Sequence, residues 1–184
     1  MASVNASEAS ALPTLLVITG RPASGKTRLS QLLAGEFGCP VVSRDAIMEG
    51  LVNSMQRGVE IPGDPKRRVY ELFFANLELL LRKGVSVIAE AAFQHALWVP
   101  ELETLSHCAR LKLLICDIDP ELAQVRFDRR LAEDPRRARL HGERSGRGRG
   151  AAYRPPRLPV PTLRVDTSDG YDPALDQITT FVLQ

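Results

Sequence analysis

Residues 20–27 read Gly-Arg-Pro-Ala-Ser-Gly-Lys-Thr and complete a GxxxxGK pattern followed by threonine. An apolar run at residues 15–19 precedes the pattern, and residues 26–37 after it show apolar side chains at helical spacing. A glycine-rich loop between a strand and a helix lets consecutive backbone N–H groups point at one phosphate chain, and the helix adds the positive end of its dipole. The pattern therefore predicts a strand, a phosphate-binding loop and a helix in succession.

We expect the motif and the residue after it to contact a nucleotide, ATP with Mg²⁺. Lys26 should reach the β- and γ-phosphates, and Thr27 should offer its hydroxyl to the Mg²⁺ that bridges them. A glycine turn with a surface lysine is the alternative, and it leaves both the Lys-Thr pair and the strand–loop–helix setting unexplained. The predicted nucleotide contacts are Gly20, Arg21, Pro22, Ala23, Ser24, Gly25, Lys26, Thr27 and Arg28.

The length of the chain and a missing motif narrow the class of nucleotide-binding protein. No Asn-Lys-x-Asp run is present to recognise guanine, which disfavours a GTPase. The 184 residues suit one compact domain and are few for a large mechanical ATPase. A small phosphotransferase, which moves the γ-phosphoryl group of ATP onto a hydroxyl, is the natural interpretation.

Composition predicts a single cytoplasmic domain with no membrane span. Apolar residues make up 44% of the chain and charged residues 25%, and no apolar run approaches the roughly 20 residues that a span requires. Residues 1–13 lack the basic start and apolar core of a signal peptide, so we expect a flexible leader before a domain at residues 14–184. Three cysteines without CxxC spacing argue against a disulfide framework or a zinc site.

Positive charge is concentrated between residues 132 and 160. This segment carries eight arginines against three acidic residues, a local balance of +5. It also holds four glycines and four prolines, which predict irregular backbone. We expect a basic lid over the nucleotide.

The rest of the chain alternates strand-like and helix-like stretches. Strands are predicted at residues 15–19, 41–43, 85–89, 111–118 and 163–165, and helices at 26–37, 45–55, 64–82, 120–131 and 173–182. Asp119 suits the N-cap of the fourth helix and Pro120 its first position. Strands that alternate with helices build a mostly parallel sheet covered on both faces, so the fold class is α/β.

Together with the phosphate-binding motif, the segment Val-Val-Ser-Arg-Asp-Ala-Ile at residues 41–47 resembles one group of P-loop kinases. The group includes phage-type polynucleotide kinase, chloramphenicol phosphotransferase and the zeta toxins, and is often described as AAA-like kinases. The resemblance implies a five-stranded sheet in the order 2-3-1-4-5, ATP and Mg²⁺ as cofactors, and an aspartate after the second strand as general base. That aspartate corresponds to Asp45.

Phosphoryl transfer requires a residue such as Asp45 independently of the resemblance. Phosphoryl transfer needs the acceptor hydroxyl in line with the γ-phosphate, and a carboxylate can orient the hydroxyl and take its proton. Strand ends of a parallel sheet meet the ligand crevice at one edge, where both Asp45 and the loop belong. The alternative is that Asp45 caps the next helix. Arg44 beside it either binds an acidic part of the substrate or is solvated.

Glu90 directly follows the predicted strand at residues 85–89 and is the second acidic candidate. By resemblance this strand lies next to the loop strand, and an acid at its tip holds Mg²⁺ through water or contacts the acceptor. The related kinases more often carry aspartate here. The alternative is an ordinary acid at a strand end.

Arginines on the helix after Asp119 are candidates for a phosphate clamp. Arg126 and Arg130 lie four residues apart and hence on one helical face. Related kinases place arginines here, where closure stabilises charge on the transferring group and excludes water. A solvated basic face is the alternative.

Two further hypotheses concern the end of the chain. Asp166 and Thr167 follow the last strand, where adenine commonly rests in such folds, although both residues also suit a turn. Separately, the Arg/Gly stretch at residues 144–150 resembles segments that bind nucleic-acid phosphates. A nucleic-acid-binding ATPase is therefore the alternative function, but only Tyr153 is near as a stacking platform, so nucleic acid is not favoured as a partner.

Overall fold

The computed structural model describes residues 12–93, 95–133 and 153–184 of the chain. Five parallel strands form one sheet in the order β2-β3-β1-β4-β5. The strands are β1 (Thr14–Gly20), β2 (Val41–Ser43), β3 (Val87–Glu90), β4 (Arg110–Asp117) and β5 (Thr162–Asp166). The predicted α/β class and the order 2-3-1-4-5 are both confirmed.

Six helices are described around the sheet. They are α1 (Lys26–Phe37), α2 (Arg44–Gln56), α3 (Pro65–Arg82), α4 (His95–Ser106), α5 (Pro120–Glu133) and α6 (Leu175–Leu183). Gly38 ends α1 in the left-handed conformation that the sequence predicts for a terminating glycine, with φ of 61°. Asp119 caps α5, because its carboxylate accepts hydrogen bonds from the backbone N–H groups of Glu121 and Leu122.

Helix α4 is the one described helix that the sequence analysis did not predict. Its sequence carries Pro100 in the interior, and proline ordinarily interrupts a helix because it lacks an N–H group. Trp98 and Leu102 of α4 nevertheless pack into the core with almost no exposure. Tertiary burial therefore overrides the local signal against a helix.

Alternation along β1 sends side chains to two separate cores. Leu15 and Val17 point to the face covered by α3 and α4, and Leu16 and Ile18 to the face that contacts α1 and α6. This double burial explains why β1 reads as a continuous apolar run. The sheet is thus held rigidly at the edge where the glycine-rich loop begins.

Helix α2 is attached more loosely than the other long helices. None of its residues is fully buried, whereas α3 buries five. Its main helical partner is α3. The beginning of α2 therefore depends on local hydrogen bonds at the end of β2.

The predicted leader and lid fall largely outside the described residues. Of the leader at residues 1–13 only 12 and 13 are described, and of the lid at residues 132–160 only the two ends. The domain boundary at residue 14 and the lid stay predictions. Within the described ranges, no helix has both the length and the apolar character to span a membrane.

Candidate active site

The loop between β1 and α1 has the backbone geometry that its glycines predict. Gly25 lies in the left-handed region with φ of 81° just before α1, and Ala23 also has a positive φ of 62°. Ser24 N–H donates to the Arg21 carbonyl at 3.2 Å, which closes the turn. A Cβ atom on Gly20 would collide with the Ser24 hydroxyl and come within 2.7 Å of the Cys116 carbonyl oxygen. The loop therefore has room for glycine alone at its first position.

Lys26 is the first residue of α1 and is only 6% exposed. Its ammonium group donates a long hydrogen bond of 3.3 Å to the Arg21 carbonyl. An ammonium carries three donors and is expensive to bury without an anionic partner. Among the described residues no ion pair is formed by Lys26. The surface-lysine alternative is wrong, and the charge inside the loop suits a bound anion.

Behind the loop, β4 contributes the uncharged side chain of Cys116. Cys116 is buried opposite Gly20 in the parallel register, and burial raises the pKa of its thiol to about 12. The thiol therefore stays protonated at neutral pH, as a small core side chain.

Glu90 ends β3 and is 2% exposed, and both of its carboxylate oxygens face hydroxyl groups. Thr27 Oγ1 donates to Oε1 at 3.4 Å, and Ser43 Oγ donates to Oε2 at 2.6 Å. The structure thus brings together the two predicted metal ligands, Thr27 and Glu90. Their oxygen donors fit Mg²⁺, which is usually held by one or two protein groups and substrate phosphates. No group of three His, Cys, Asp or Glu side chains that could hold a metal ion exists in the described part of the chain.

Asp45 lies in the first turn of α2, with its side chain 46% exposed and 3.2 Å from the Arg44 guanidinium. The N-cap of α2 is Ser43, whose hydroxyl accepts from the Ala46 N–H group at 3.4 Å. Capping therefore does not account for Asp45. The carboxylate is accessible to a substrate and has an arginine beside it, and its catalytic role stays a prediction.

On α5, the Arg126 guanidinium donates to the carbonyl oxygens of Thr167 and Ser168 at 2.9 and 2.6 Å. The Thr167 hydroxyl in turn donates to the carbonyl of Ser24, within the glycine-rich loop, at 2.7 Å. Arg126 is thus connected to the loop through the segment after β5. Arg130 lies one turn further along α5, and the phosphate clamp by these two arginines stays a prediction.

Sequence reasoning missed three polar residues near the loop: Ser43, Thr19 and Tyr153. Thr19 is fully buried, accepts from the Phe93 N–H group at 3.1 Å and shares a 2.5 Å hydrogen bond with the Tyr153 hydroxyl. Burial raises the pKa of Tyr153 to about 12. Ser43 had a usable signal, because it lies two residues before the start of the helix predicted at residues 45–55 and serine is a preferred N-cap residue. The Thr19–Tyr153 contact spans 134 positions and has no local signal.

A 2-3-1-4-5 parallel sheet with a GxxxxGKT loop and a buried lysine between strand and helix defines a P-loop nucleotide-binding protein. A family model described as an AAA domain matches residues 15–155, so the chain belongs to that family. A search of curated proteins finds no match.

Solved structures share the fold. A protein from Chloroflexus aurantiacus j-10-fl, described as a candidate kinase, is 26% identical, with a TM-score of 0.78 over 94% of this chain and 98% of its own. A gluconokinase from Sinorhizobium meliloti 1021 is 19% identical, with a TM-score of 0.58 over 94% and 93%. The Mycobacterium tuberculosis APS kinase CysC, solved with AMPPNP and APS, is 17% identical, with a TM-score of 0.61 over 94% and 96%.

Proposed function

We propose that this protein is an ATP-dependent kinase that transfers the γ-phosphoryl group of ATP to a hydroxyl of an acceptor. The observation that carries the proposal is the buried Lys26 in the glycine-rich loop, beside the Thr27–Glu90 pair at the same sheet edge. A cation in a loop of backbone donors suits a triphosphate, and a hydroxyl–carboxylate pair suits its metal ion. Both features serve nucleotide binding as well, and the accessible carboxylate of Asp45 is the additional group that transfer to a hydroxyl would use.

Loop residues from Gly20 to Arg28 would bind the nucleotide in this proposal. Lys26 would neutralise the β- and γ-phosphates, while Thr27 and Glu90 would hold Mg²⁺ directly or through water. When bound, Mg²⁺ offsets the charge that develops on the transferring group. Glu90 is also the register partner of Ser43 at the end of β2, which would bring its carboxylate close to the acceptor.

Asp45 would orient the acceptor hydroxyl and accept its proton. Its exposure leaves the carboxylate open to a substrate, and the Arg44 guanidinium lies 3.2 Å from it. Arg44 would contact the acceptor from the same turn. Arg126 and Arg130 would stabilise charge on the transferring phosphoryl group, which the position of α5 next to the loop segment supports.

We place this reaction in the cytoplasm, where ATP is available. All three cysteines are free, which suits a reducing compartment.

The experiment is a screen of hydroxyl compounds for acceptor-stimulated ADP release, including a 5′-hydroxyl oligonucleotide. Asp45→Asn should lower kcat by about 10²–10⁴-fold, because a general base contributes that much, and should leave Mg-ATP affinity nearly unchanged. Asp176→Asn is the matched control, since Asp176 also lies in the first turn of a helix, α6. Parental turnover by Asp45→Asn would refute the base. No Mg-ATP binding by the parent would refute the proposed function as a whole.

A further inference from the structure

The hydroxyl of Ser43 contacts two functional elements at once. It donates its hydrogen to Glu90 Oε2 at 2.6 Å, and its oxygen accepts from the Ala46 N–H group at 3.4 Å. The register of the sheet makes this possible, because Ser43 and Glu90 are direct partners on the neighbouring strands β2 and β3. One small side chain therefore joins the predicted metal carboxylate to the beginning of α2.

Ser43 provides the shorter of the two contacts that the structure gives for the Glu90 carboxylate. The hydrogen bond from Thr27 is longer by 0.8 Å, at 3.4 Å against 2.6 Å. Short hydrogen bonds to an ionised group are roughly twice as strong as neutral ones, and a buried carboxylate requires such partners. Ser43 thus fixes Oε2 and leaves Oε1 turned toward Thr27, the other predicted metal ligand.

The same hydroxyl determines where α2 begins. This helix has no fully buried residue, so packing alone constrains its position weakly. Asp45 is in its first turn, two residues after Ser43. A displacement of the cap therefore moves Asp45 relative to the phosphate-binding loop.

We propose that Ser43 is a positioning residue that couples the Mg²⁺ carboxylate, Glu90, to the helix that presents the base, Asp45. The inference rests on the proposed function. The Ser43 hydroxyl cannot keep both of its hydrogen bonds if either Glu90 or the Ala46 N–H group moves. Binding of the metal ion at Glu90 and placement of Asp45 are consequently linked.

The test measures ATP affinity by calorimetry with Mg²⁺ and with EDTA. Ser43→Ala should reduce the gain in affinity that Mg²⁺ provides by about tenfold, the lower end of the effect of removing a hydrogen bond to a metal ligand. Affinity in EDTA should stay within twofold of the parent, because the loop is untouched. Ser54→Ala is the matched control, since Ser54 is a half-buried serine of the same helix whose hydroxyl donates to the Gly50 carbonyl.

Substitution by glycine separates positioning from helix capping. Glycine at an N-cap preserves most of the stability that alanine loses, typically to within a few tenths of a kcal/mol. If Ser43 only caps α2, Ser43→Gly should restore Mg²⁺-dependent affinity and kcat. If Ser43 positions Glu90, Ser43→Gly and Ser43→Ala should be equally impaired, while Ser43→Thr, which keeps the hydroxyl, should recover at least half of parental affinity.

A double-mutant cycle with Glu90→Gln completes the test. In the Glu90→Gln background, Ser43→Ala should change Mg²⁺-dependent ATP affinity less than twofold, because its target carboxylate is gone. Full additivity of the two substitutions would overturn the inference, as would parental Mg²⁺ dependence in Ser43→Ala. These results leave the proposed function intact, since it fails only if the parent protein binds no Mg-ATP. Thermal unfolding of every variant in EDTA confirms that the comparison is among folded proteins.

Discussion

Substitution of Gly20 by alanine probes the tightest point of the glycine-rich loop. Gly20 is the last residue of β1, and its partner across the sheet is Cys116. An added Cβ would collide with the Ser24 hydroxyl, and would lie 2.7 Å from the Cys116 carbonyl oxygen and 3.0 Å from the Cys116 Cβ. The Ser24 side chain can rotate, but the Cys116 carbonyl belongs to a paired strand and cannot move away. The backbone of the loop must therefore shift.

Overpacking of this kind destabilises proteins by about 1–3 kcal/mol. For a domain of this size each kcal/mol lowers Tm by about 2–4 °C, so a central value of 2 kcal/mol predicts a loss of about 4–8 °C. The shift also moves the loop amides away from the phosphates. We expect Mg-ATP affinity to fall by at least about tenfold, which corresponds to only about 1.4 kcal/mol.

Scanning calorimetry and Mg-ATP titration measure the two effects of Gly20→Ala. The matched control is Gly35→Ala on α1, where a Cβ meets nothing within 4 Å. That control should gain about 0.5–1 kcal/mol, because alanine is the better helix former. Adding Ser24→Ala to Gly20→Ala should restore only part of the loss, since the Cys116 carbonyl remains. Parental Tm together with parental ATP affinity in Gly20→Ala would refute the steric argument.

Three further predictions concern the support of the site. Lys112 donates to the carbonyls of Phe181 and Val182 at 2.8 and 3.0 Å, so Lys112→Met should lower the free energy of unfolding by about 1–3 kcal/mol, and unchanged denaturant midpoints would contradict this. Arg126→Gln removes the guanidinium from the segment after β5 and should weaken ATP affinity about tenfold, and as part of the proposed phosphate clamp it should also lower kcat; parental ATP affinity and kcat would contradict both roles. The pKa of Tyr153 is raised from 10.0 to about 12. The folded state therefore keeps the phenolic proton more tightly, its contribution to stability is present below pH 10 and is lost toward pH 12, and Tyr153→Phe should flatten that fall in urea unfolding between pH 10 and 12.

The fold was predictable because its signals are local and mutually consistent. The apolar run of β1, the loop glycines and the helical spacing of α1 all lie within residues 14–37 and agree with one another. The remaining strands alternate with helices, which restricts the sheet to few topologies. Helix α4 was not predicted because its interior proline disfavours a helix locally. It forms because Trp98 is buried among α3 side chains.

The site, like the fold, was predictable where its residues are close in sequence and not where they meet through tertiary contacts. The predicted phosphate-binding residues occupy one contiguous segment, so their spacing in the sequence determines their arrangement in space. Ser43 and Glu90 are 47 positions apart and meet only because β2 and β3 pair in a particular register. Sequence spacing also places Arg126 and Arg130 on one face of α5, yet it cannot indicate that Arg126 contacts the carbonyls of Thr167 and Ser168.

The nucleotide groups and the acceptor groups of the proposed site come from parts of the fold that are packed differently. The proposed nucleotide-binding groups come from β1, α1 and the segment after β5, which are joined by the Thr167 hydrogen bond to the Ser24 carbonyl. The predicted acceptor groups come from the end of β3 and the first turn of α2, a helix without a fully buried residue. A weakly packed helix can change its sequence and position at little expense in stability, whereas the nucleotide side cannot. Acceptor specificity should therefore respond to substitutions in α2 that leave ATP affinity and Tm unchanged.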